Sequence, residues 1–214
     1  SAAYCYHNRA LIYEESEQFD KALADYNKAI ELDPKNPDWH MDRALFHDKL
    51  KNNNEALIDY SKAIELDPEN PKRWYNRGHF YYRTKQYKPA IKDFEKTLEL
   101  DPGYVHAITV MGLIYEEQGK LDLAIAAYEK GIALEKTDPK SAAYCYRNRA
   151  QIYEESNQYD EALADYSKAI ELDPKNPKLY SNRAMLYEDL ENNNQALIDY
   201  TKAIELDPEF PDWW

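Results

Sequence analysis

The chain has 214 residues, of which 43% are hydrophobic and 31% are charged, and its formal net charge is −13 at pH 7. No apolar run approaches the roughly 20 residues that a membrane-spanning helix needs, and no charged-then-apolar leader is visible. The negative charge repels phosphate backbones, so it argues against nucleic acid as a partner and favours basic peptides or basic protein surfaces. We therefore predict a soluble, cytoplasmic chain, which begins at Ser1 as a fragment or a processed form would.

The dipeptide Asp-Pro recurs along the chain at a spacing of 34 residues, ending at Pro34, Pro68 and Pro102 and again at Pro174 and Pro208. Each interval holds two apolar segments whose spacing is helical. In the first interval these segments carry Tyr6, Ala10 and Tyr13, followed by Ala22 and Tyr26. Short polar turns separate the segments, so the pattern predicts an all-α chain of antiparallel helix hairpins.

The predicted repeat units follow from this spacing, and one of them is longer than the others. They span 3–36, 37–70, 71–104, 105–142, 143–176 and 177–210, and a truncated seventh unit occupies 211–214. From Pro102 to Pro174 is 72 residues, which is two periods plus four. Since four residues are about one helical turn, we predict one extra turn on the helix that starts near Asp122, with a longer loop after it.

The repeated residues closely resemble the tetratricopeptide repeat family over nearly the whole chain. The family pattern places a large, a small and an aromatic residue on the first helix, and Ala, an aromatic, Ala and Pro on the second. The first-helix triplets are Tyr6, Ala10, Tyr13; His40, Ala44, His47; Trp74, Gly78, Tyr81; Ile108, Gly112, Tyr115; Tyr146, Ala150, Tyr153; and Tyr180, Ala184, Tyr187. The resemblance implies a right-handed α-α superhelix of six units, with first helices on its concave wall and second helices on its convex wall.

A longer duplication overlies the short repeat, because residues 1–70 and 141–210 match at about fifty of seventy positions. The sequence then stops just as a seventh unit begins, with Trp214 aligned to Trp74. Solenoid ends usually need a polar capping helix, and none follows. Two alternatives stay open: the natural chain continues, or another molecule covers the end.

The sequence contains no catalytic or cofactor-binding constellation, so we predict a protein that is not an enzyme and binds no cofactor or metal. It has no Gly-rich phosphate loop, no zinc-type Cys/His spacing and no Ser–His–acid arrangement. Cys5 and Cys145 are expected to be semi-buried thiols in a reducing compartment, and His40 and His47 to be core residues. Paired acids recur at the ends of first helices, where a solvated acidic rim explains them better than acid–base chemistry: Glu14-Glu15, Glu116-Glu117, Glu154-Glu155 and Glu188-Asp189.

A charge pattern predicts an Arg–Asp ion pair within five of the six hairpins. The arginines are Arg9, Arg43, Arg77, Arg149 and Arg183, and the aspartates are Asp25, Asp59, Asp93, Asp165 and Asp199. The fourth unit has Met111 and Ala127 instead and so loses both charges together. Paired charges behave in this way, because a half-buried charge left alone is costly.

The concave wall is the predicted binding site. One face of the first helix in the third unit carries Lys72, Tyr75, Asn76, His79, Tyr82 and Arg83. Aromatic rings beside cations and an amide suit an extended peptide or a carboxylate. Equivalent positions on that wall carry Asn8, Asn76, Asn148 and Asn182, interrupted by Asp42 and Val110. This series resembles the asparagine ladder of O-linked N-acetylglucosamine transferase, in which amides hold a peptide backbone.

The sequence therefore predicts a non-enzymatic interaction module that holds a partner peptide or helix in its concave groove. The same asparagine series belongs to the carboxylate clamp of chaperone-binding relatives, but only Lys72 and Lys178 match another element of that clamp. Leu11, Leu45 and Leu113 stand where the clamp has Asn, so we do not expect a chaperone tail as the ligand. The alternative function is structural: the repeats tile into a longer rod through end-to-end self-association at the uncapped C-terminal unit.

Overall fold

The structure is a computed structural model that describes residues 1–208, and these residues form twelve α-helices and no strand. The chain divides into two compact units, unit 1 (Ser1–Pro102) and unit 2 (Gly103–Trp214). Unit 1 contains α1 (Ala2–Glu15), α2 (Phe19–Leu32), α3 (Pro37–Lys49), α4 (Asn53–Leu66), α5 (Pro71–Arg83) and α6 (Tyr87–Leu100). Unit 2 contains α7 (Val105–Glu117), α8 (Leu121–Ile132), α9 (Pro139–Glu155), α10 (Tyr159–Leu172), α11 (Pro177–Asp189) and α12 (Asn193–Leu206). Each odd-numbered helix packs on the helix that follows it, which confirms an all-α chain of repeated hairpins, here numbered 1 to 6.

Three first helices begin with an Asn-Pro pair, which explains why the chain re-enters helix after the Asp-Pro joins at Pro34, Pro68 and Pro174. Asn36, Asn70 and Asn176 each accept a hydrogen bond through the side chain from the backbone N–H two residues later. The following proline occupies the first helical position, where its missing N–H costs nothing. The Asn-Pro pairs therefore fix three of the hairpin boundaries locally.

The turn inside each hairpin depends on one residue in the left-handed backbone region. In hairpin 4 this residue is Gly119, at φ +69°. The other five turns use residues with side chains at φ between 57° and 61°: Glu17, Lys51, Lys85, Asn157 and Glu191. Glu and Lys are strained in this region whereas Asn tolerates it, so four of the six turns store unfavourable backbone energy.

Small residues let the two helices of a hairpin approach, and aromatic rings join one hairpin to the next. In unit 1, Ala10 and Ala22 are fully buried around Tyr26 and Phe46, whose ring centroids lie 5.4 Å apart. Tyr60 and Phe80 repeat this contact one hairpin later, at 5.6 Å. Within each unit no hairpin buries its apolar face alone, so each depends on a neighbouring hairpin of the same unit.

The extra helical turn lies on a different helix from the one that the sequence predicts. The helix near Asp122, α8, ends at Ile132 after only 12 residues, while the following first helix, α9, has 17 residues. The extra turn is therefore at the N-terminus of α9. Its physical cause is a strong start signal, since Pro139 occupies the first turn and the Asp138 side chain accepts from the Ser141 N–H at 3.1 Å.

No helix within residues 1–208 is long and apolar enough to cross a membrane. Cys145 is buried, which raises the pKa of its thiol, whereas Cys5 is exposed, so the expectation of two semi-buried thiols is wrong for both. The predicted seventh unit at 211–214 lies outside the described residues.

Candidate functional site

An Arg–Asp ion pair is present in all five hairpins in which the sequence predicts it. Each guanidinium donates from Nε to one carboxylate oxygen at 2.6 to 2.7 Å and from a terminal nitrogen to the other oxygen. Such two-pronged contacts fix the orientation of both side chains. Each pair ties a first helix to its own second helix and holds the register of the hairpin.

Four of these arginines also link their hairpin to the preceding one, three through hydrogen bonds and Arg149 through an ion pair with Glu129 at 3.7 Å. Arg43 donates from its remaining nitrogen to Asn27 Oδ1 at 2.6 Å, and Arg77 and Arg183 donate to serine hydroxyls in equivalent positions. Asp59 has a further partner, His40, at 3.3 Å. Burial disfavours the charged form of Asp59, but the hydrogen bonds from Arg43 and His40 outweigh it and lower the carboxyl pKa.

The paired acids are not a simple solvated rim, because the first acid of two of the four pairs accepts a hydrogen bond from a buried tyrosine. Tyr26 donates to Glu14 at 2.9 Å, and Tyr166 donates to Glu154 at 2.8 Å. Burial, followed by the bond to the acid, raises the pKa of both tyrosines. Equivalent contacts join Tyr60 to Asp48 and Tyr200 to Glu188.

Hairpin 3 lacks this contact because both partners have changed together. Tyr82 stands where the other hairpins have an acid, and Phe94 stands where they have a tyrosine. The two positions are separated by 12 residues in every hairpin. This joint replacement resembles the joint loss of both charges at Met111 and Ala127. It was a signal in the sequence for the tyrosine–acid contact, and our sequence interpretation missed it.

The first helices of unit 1 enclose a recess of about 360 Å³, which we call the unit 1 recess. It is lined by Tyr4 and His7 of α1, by Asp38, Trp39, Met41, Asp42 and Leu45 of α3, and by Asn70, Lys72, Arg73 and Asn76 at α5. A second opening, of about 730 Å³, continues along α3 and α5 and shares Leu45 with the recess. Successive first helices therefore present a continuous hollow surface within unit 1.

Charged and aromatic contacts fix the walls of the unit 1 recess. His7 stacks on Trp39 with ring centroids 4.4 Å apart, and its Nε2 lies 2.6 Å from Asp42 Oδ2. On the opposite wall Arg73 donates to Asp67 at 2.8 Å and to Asp38 at 2.9 Å. The recess thus carries an acidic wall on α3 and a cationic edge on α5.

The structure places the predicted groove residues of α5 along one face. Lys72 and Asn76 line the unit 1 recess, and Asn76 donates to Met41 Sδ at 3.3 Å. The rings of Tyr75, His79 and Tyr82 follow each other at centroid distances of 6.0 and 6.2 Å. Arg83 lines the second opening and donates to Asp48.

The remaining asparagines of the series differ in their surroundings. Asn8 is half-buried and its Oδ1 contacts His7 at 3.3 Å, while Asn148 is only 2% exposed and accepts from Arg147 at 2.7 Å. Asn182 is half-buried and faces the Tyr166 hydroxyl of the preceding hairpin. Its hydrogen bond with that hydroxyl lowers the pKa of Tyr166 and so opposes the rise caused by burial. Their role in peptide binding stays a prediction.

Sequence reasoning missed the α1 and α3 residues of the recess, above all His7, Trp39 and Asp42. It placed His40 and His47 correctly, since both are buried. Within residues 1–208, no group of three or more His, Cys, Asp or Glu side chains is arranged to hold a metal ion.

Family profiles described as tetratricopeptide repeat match residues 3–36, 71–104, 105–138 and 177–210, and one described as TPR repeat matches residues 49–85 and 150–191. Among curated protein sequences, none matches the chain significantly. The fold is similar to that of pilF from Pseudomonas aeruginosa, with a TM-score of 0.73 and 22% identity, covering 97% of this chain and 93% of that one. PilW, described as a type IV pilus biogenesis factor, gives a TM-score of 0.72 at 20% identity over 99% and 96% of the two chains. YrrB, described as a TPR protein with an unusual peptide-binding site, gives 0.59 at 24% identity over 86% and 93%.

Proposed function

Because the chain belongs to the tetratricopeptide repeat family, generally a non-catalytic protein-interaction fold, we propose that unit 1 binds an extended segment of a partner protein across α1, α3 and α5. The observation that carries this proposal is the unit 1 recess, because three successive first helices line it. The peptide-binding site that the description of YrrB mentions is consistent with such a role.

The face of α5 supplies the groups that hold the segment. The amide of Asn76 can donate to and accept from a peptide unit, and the rings of Tyr75, His79 and Tyr82 offer apolar area beside it. Lys72 and Arg83 flank this surface. Asn8 extends the same series of positions on α1, and the net charge of −13 favours a basic partner.

The proposal is tested by selecting binders to the immobilised protein from a displayed library of random peptides. This selection makes no assumption about the sequence of the partner. The dissociation constants of selected peptides are then measured by fluorescence anisotropy with the wild type and with the double variant Asn76→Ala, Tyr82→Ala. We expect the variant to bind at least tenfold more weakly, because it removes the amide and one ring from the groove.

The matched control is the double variant Asn54→Ala, Ile58→Ala, which makes two similar truncations on the exposed face of α4. It should bind the same peptides with unchanged affinity. Peptides that bind both variants equally well would place the binding surface elsewhere, and circular dichroism of both variants verifies that they are folded.

A second candidate function, self-association through α12, is supported by an exposed apolar face. Leu197 and Ile204 of α12 are 65% and 50% exposed. Their counterparts in the duplicated segment are packed in the core of unit 1: Leu57 is partly buried and Ile64 is only 5% exposed. In unit 1 the following hairpin covers these positions, so a second copy of the chain could cover them on α12.

A further inference from the structure

We propose that the unit 1 recess binds the guanidinium group of an arginine side chain in the partner segment, between the Tyr4 ring and the Asp42 carboxylate. This inference rests on the proposed function and names the anchor residue that the site selects. Three independent features of the described residues lead to it.

The first feature is where the duplicated segments differ. Residues 1–70 and 141–210 differ at 20 of 70 positions. Eight residues of the first segment line the recess, and seven of these eight differ from their counterparts, Tyr4 being unchanged. The differences include the unbroken run from Asp38 to Asp42, which reads Lys178 to Asn182 in the second copy. The recess is thus the part of this segment in which the two copies have become most different.

The second feature is the group that lies over the shared tyrosine. In unit 2 the Arg147 guanidinium lies over the Tyr144 ring, 4.5 Å from its centroid. The counterpart of Arg147 in unit 1 is His7, which turns away to stack on Trp39. Tyr4 is 57% exposed, and no Arg or Lys in residues 1–208 lies over its ring. Unit 1 therefore presents the aromatic half of a cation–π contact whose cation unit 2 supplies internally.

The third feature is the available carboxylate oxygens. Oδ2 of Asp42 is hydrogen-bonded to His7, and Oδ1 of Asp38 accepts a hydrogen bond from Arg73. The second oxygen of each carboxylate has no hydrogen-bond donor among the described residues. In the second copy these acids are Asn182 and Lys178, so the negative charge is specific to unit 1. A guanidinium is the side chain that stacks on an aromatic ring and donates to a carboxylate in one plane.

The cations already at the recess leave room for this ligand. Arg73 is only 6% exposed and has two acids as partners, Asp67 and Asp38, so its charge is compensated locally. Lys72 is exposed at the α5 edge, where solvent screens it.

The test uses the full chain and the peptides selected in the library experiment. Each arginine of a selected peptide is replaced in turn by citrulline, which keeps the shape and removes the charge, and by lysine. Dissociation constants are measured by anisotropy for the wild type, for Asp42→Asn and for the control Asp20→Asn, which makes the same charge change on the exposed surface of α2. Asn is the natural residue at position 182, so Asp42→Asn is expected to fold.

We expect one arginine whose replacement by citrulline weakens binding to the wild type at least tenfold, with lysine intermediate. In Asp42→Asn the same replacement should change affinity less than twofold, since the two groups act as a pair, while Asp20→Asn behaves as the wild type. A second variant, His7→Arg, supplies an internal guanidinium as in unit 2 and should lower affinity for the arginine peptide tenfold without affecting the citrulline peptide.

The outcomes separate this inference from the proposed function. Peptides that depend on Asn76 and Tyr82 but show no coupling between an arginine and Asp42 would overturn the arginine anchor and leave the groove intact. Peptides whose affinity does not depend on Asn76 and Tyr82, or a library that yields no specific binder, would overturn both the arginine anchor and the proposed function.

Discussion

At the scale of single residues, the Arg–Asp pairs are not equivalent, because their arginines differ in exposure. The Arg9 side chain is 54% exposed, whereas that of Arg43 is 21% exposed, although both bind a buried aspartate through two hydrogen bonds. Removing the aspartate leaves a hydrated arginine in the first case and a largely buried, unpaired cation in the second. The cost of removal should follow the burial of the partner that remains.

We therefore expect Asp59→Ala to lower the free energy of unfolding by about 3 kcal/mol, since it leaves the Arg43 charge without a carboxylate and His40 without its acceptor. Asp25→Ala is the matched control and should cost clearly less. Urea unfolding followed by circular dichroism measures both. Equal losses for the two variants would show that burial of the arginine does not decide the energy of these pairs.

A histidine in the core of unit 1 should make stability depend on pH. Burial lowers the pKa of His47 from its usual value, although Asp59 and Glu55 act in the opposite direction. The unfolded chain then binds a proton near pH 6.5 that the folded chain does not bind. The contribution of neutral His47 is thus fully present above pH 6.5 and is lost as the pH falls towards the folded pKa.

The expected result is that His47→Tyr, which introduces the residue type of Tyr187 in the duplicated segment, has a flatter stability profile than the wild type. Between pH 7 and 5 the wild type should lose stability relative to the variant, with a slope of at most ~1.4 kcal/mol per pH unit. Both proteins retain His79, whose pKa burial also lowers, so the difference between them isolates His47. Parallel profiles would contradict the assignment.

At the scale of helices and turns, the hairpin turns combine a uniform geometry with unfavourable residues. Lys51 has a φ of 61° in the turn between α3 and α4, a conformation that glycine adopts without strain. Replacing it by glycine relieves the strain in the folded state and increases the entropy of the unfolded state, and the first effect is the larger.

We accordingly expect Lys51→Gly to raise the free energy of unfolding by about 0.5 to 1 kcal/mol. The control Lys62→Gly, within α4, should lower it by about 1 kcal/mol, because glycine is a poor helix former. Both are measured by urea unfolding. A loss of stability on Lys51→Gly would mean that the lysine side chain contributes more than its backbone strain costs.

Much of the element-level structure was predictable because the signals for it are local. Periodicity and the Asp-Pro spacing specify the hairpins, and the joint loss at Met111 and Ala127 predicted the ion pairs. The extra turn was misplaced because four residues keep the apolar face in phase on either helix, and only the start signal at Asp138 and Pro139 decides between them. The unit 1 recess could not be predicted, since it needs α1, α3 and α5 side by side before His7 can meet Asp42.

At the scale of the whole molecule, the self-association proposed for this chain depends on the exposed face of α12. If Leu197 and Ile204 mediate contact between copies, the mean mass in analytical ultracentrifugation should rise with protein concentration. Leu197→Glu with Ile204→Glu should abolish that rise, because it places charge in an apolar contact. The control Ile58→Glu changes a residue that is 68% exposed in unit 1 and should have no effect. A constant mass at all concentrations would exclude self-association as the function of this face.

The buried hydroxyl–carboxylate contacts give the protein an optical reporter of its own folding. The chain has 20 tyrosines, and those buried at Tyr26, Tyr60, Tyr128 and Tyr166 have strongly raised pKa values, while that of Tyr200 is raised to about 12. Surface phenols ionise near pH 10 and absorb at longer wavelength when they do. The buried phenols can ionise only when the hairpins open, so an alkaline absorbance titration should show a gradual phase followed by a steep one, and the steep phase reports unfolding without any added label.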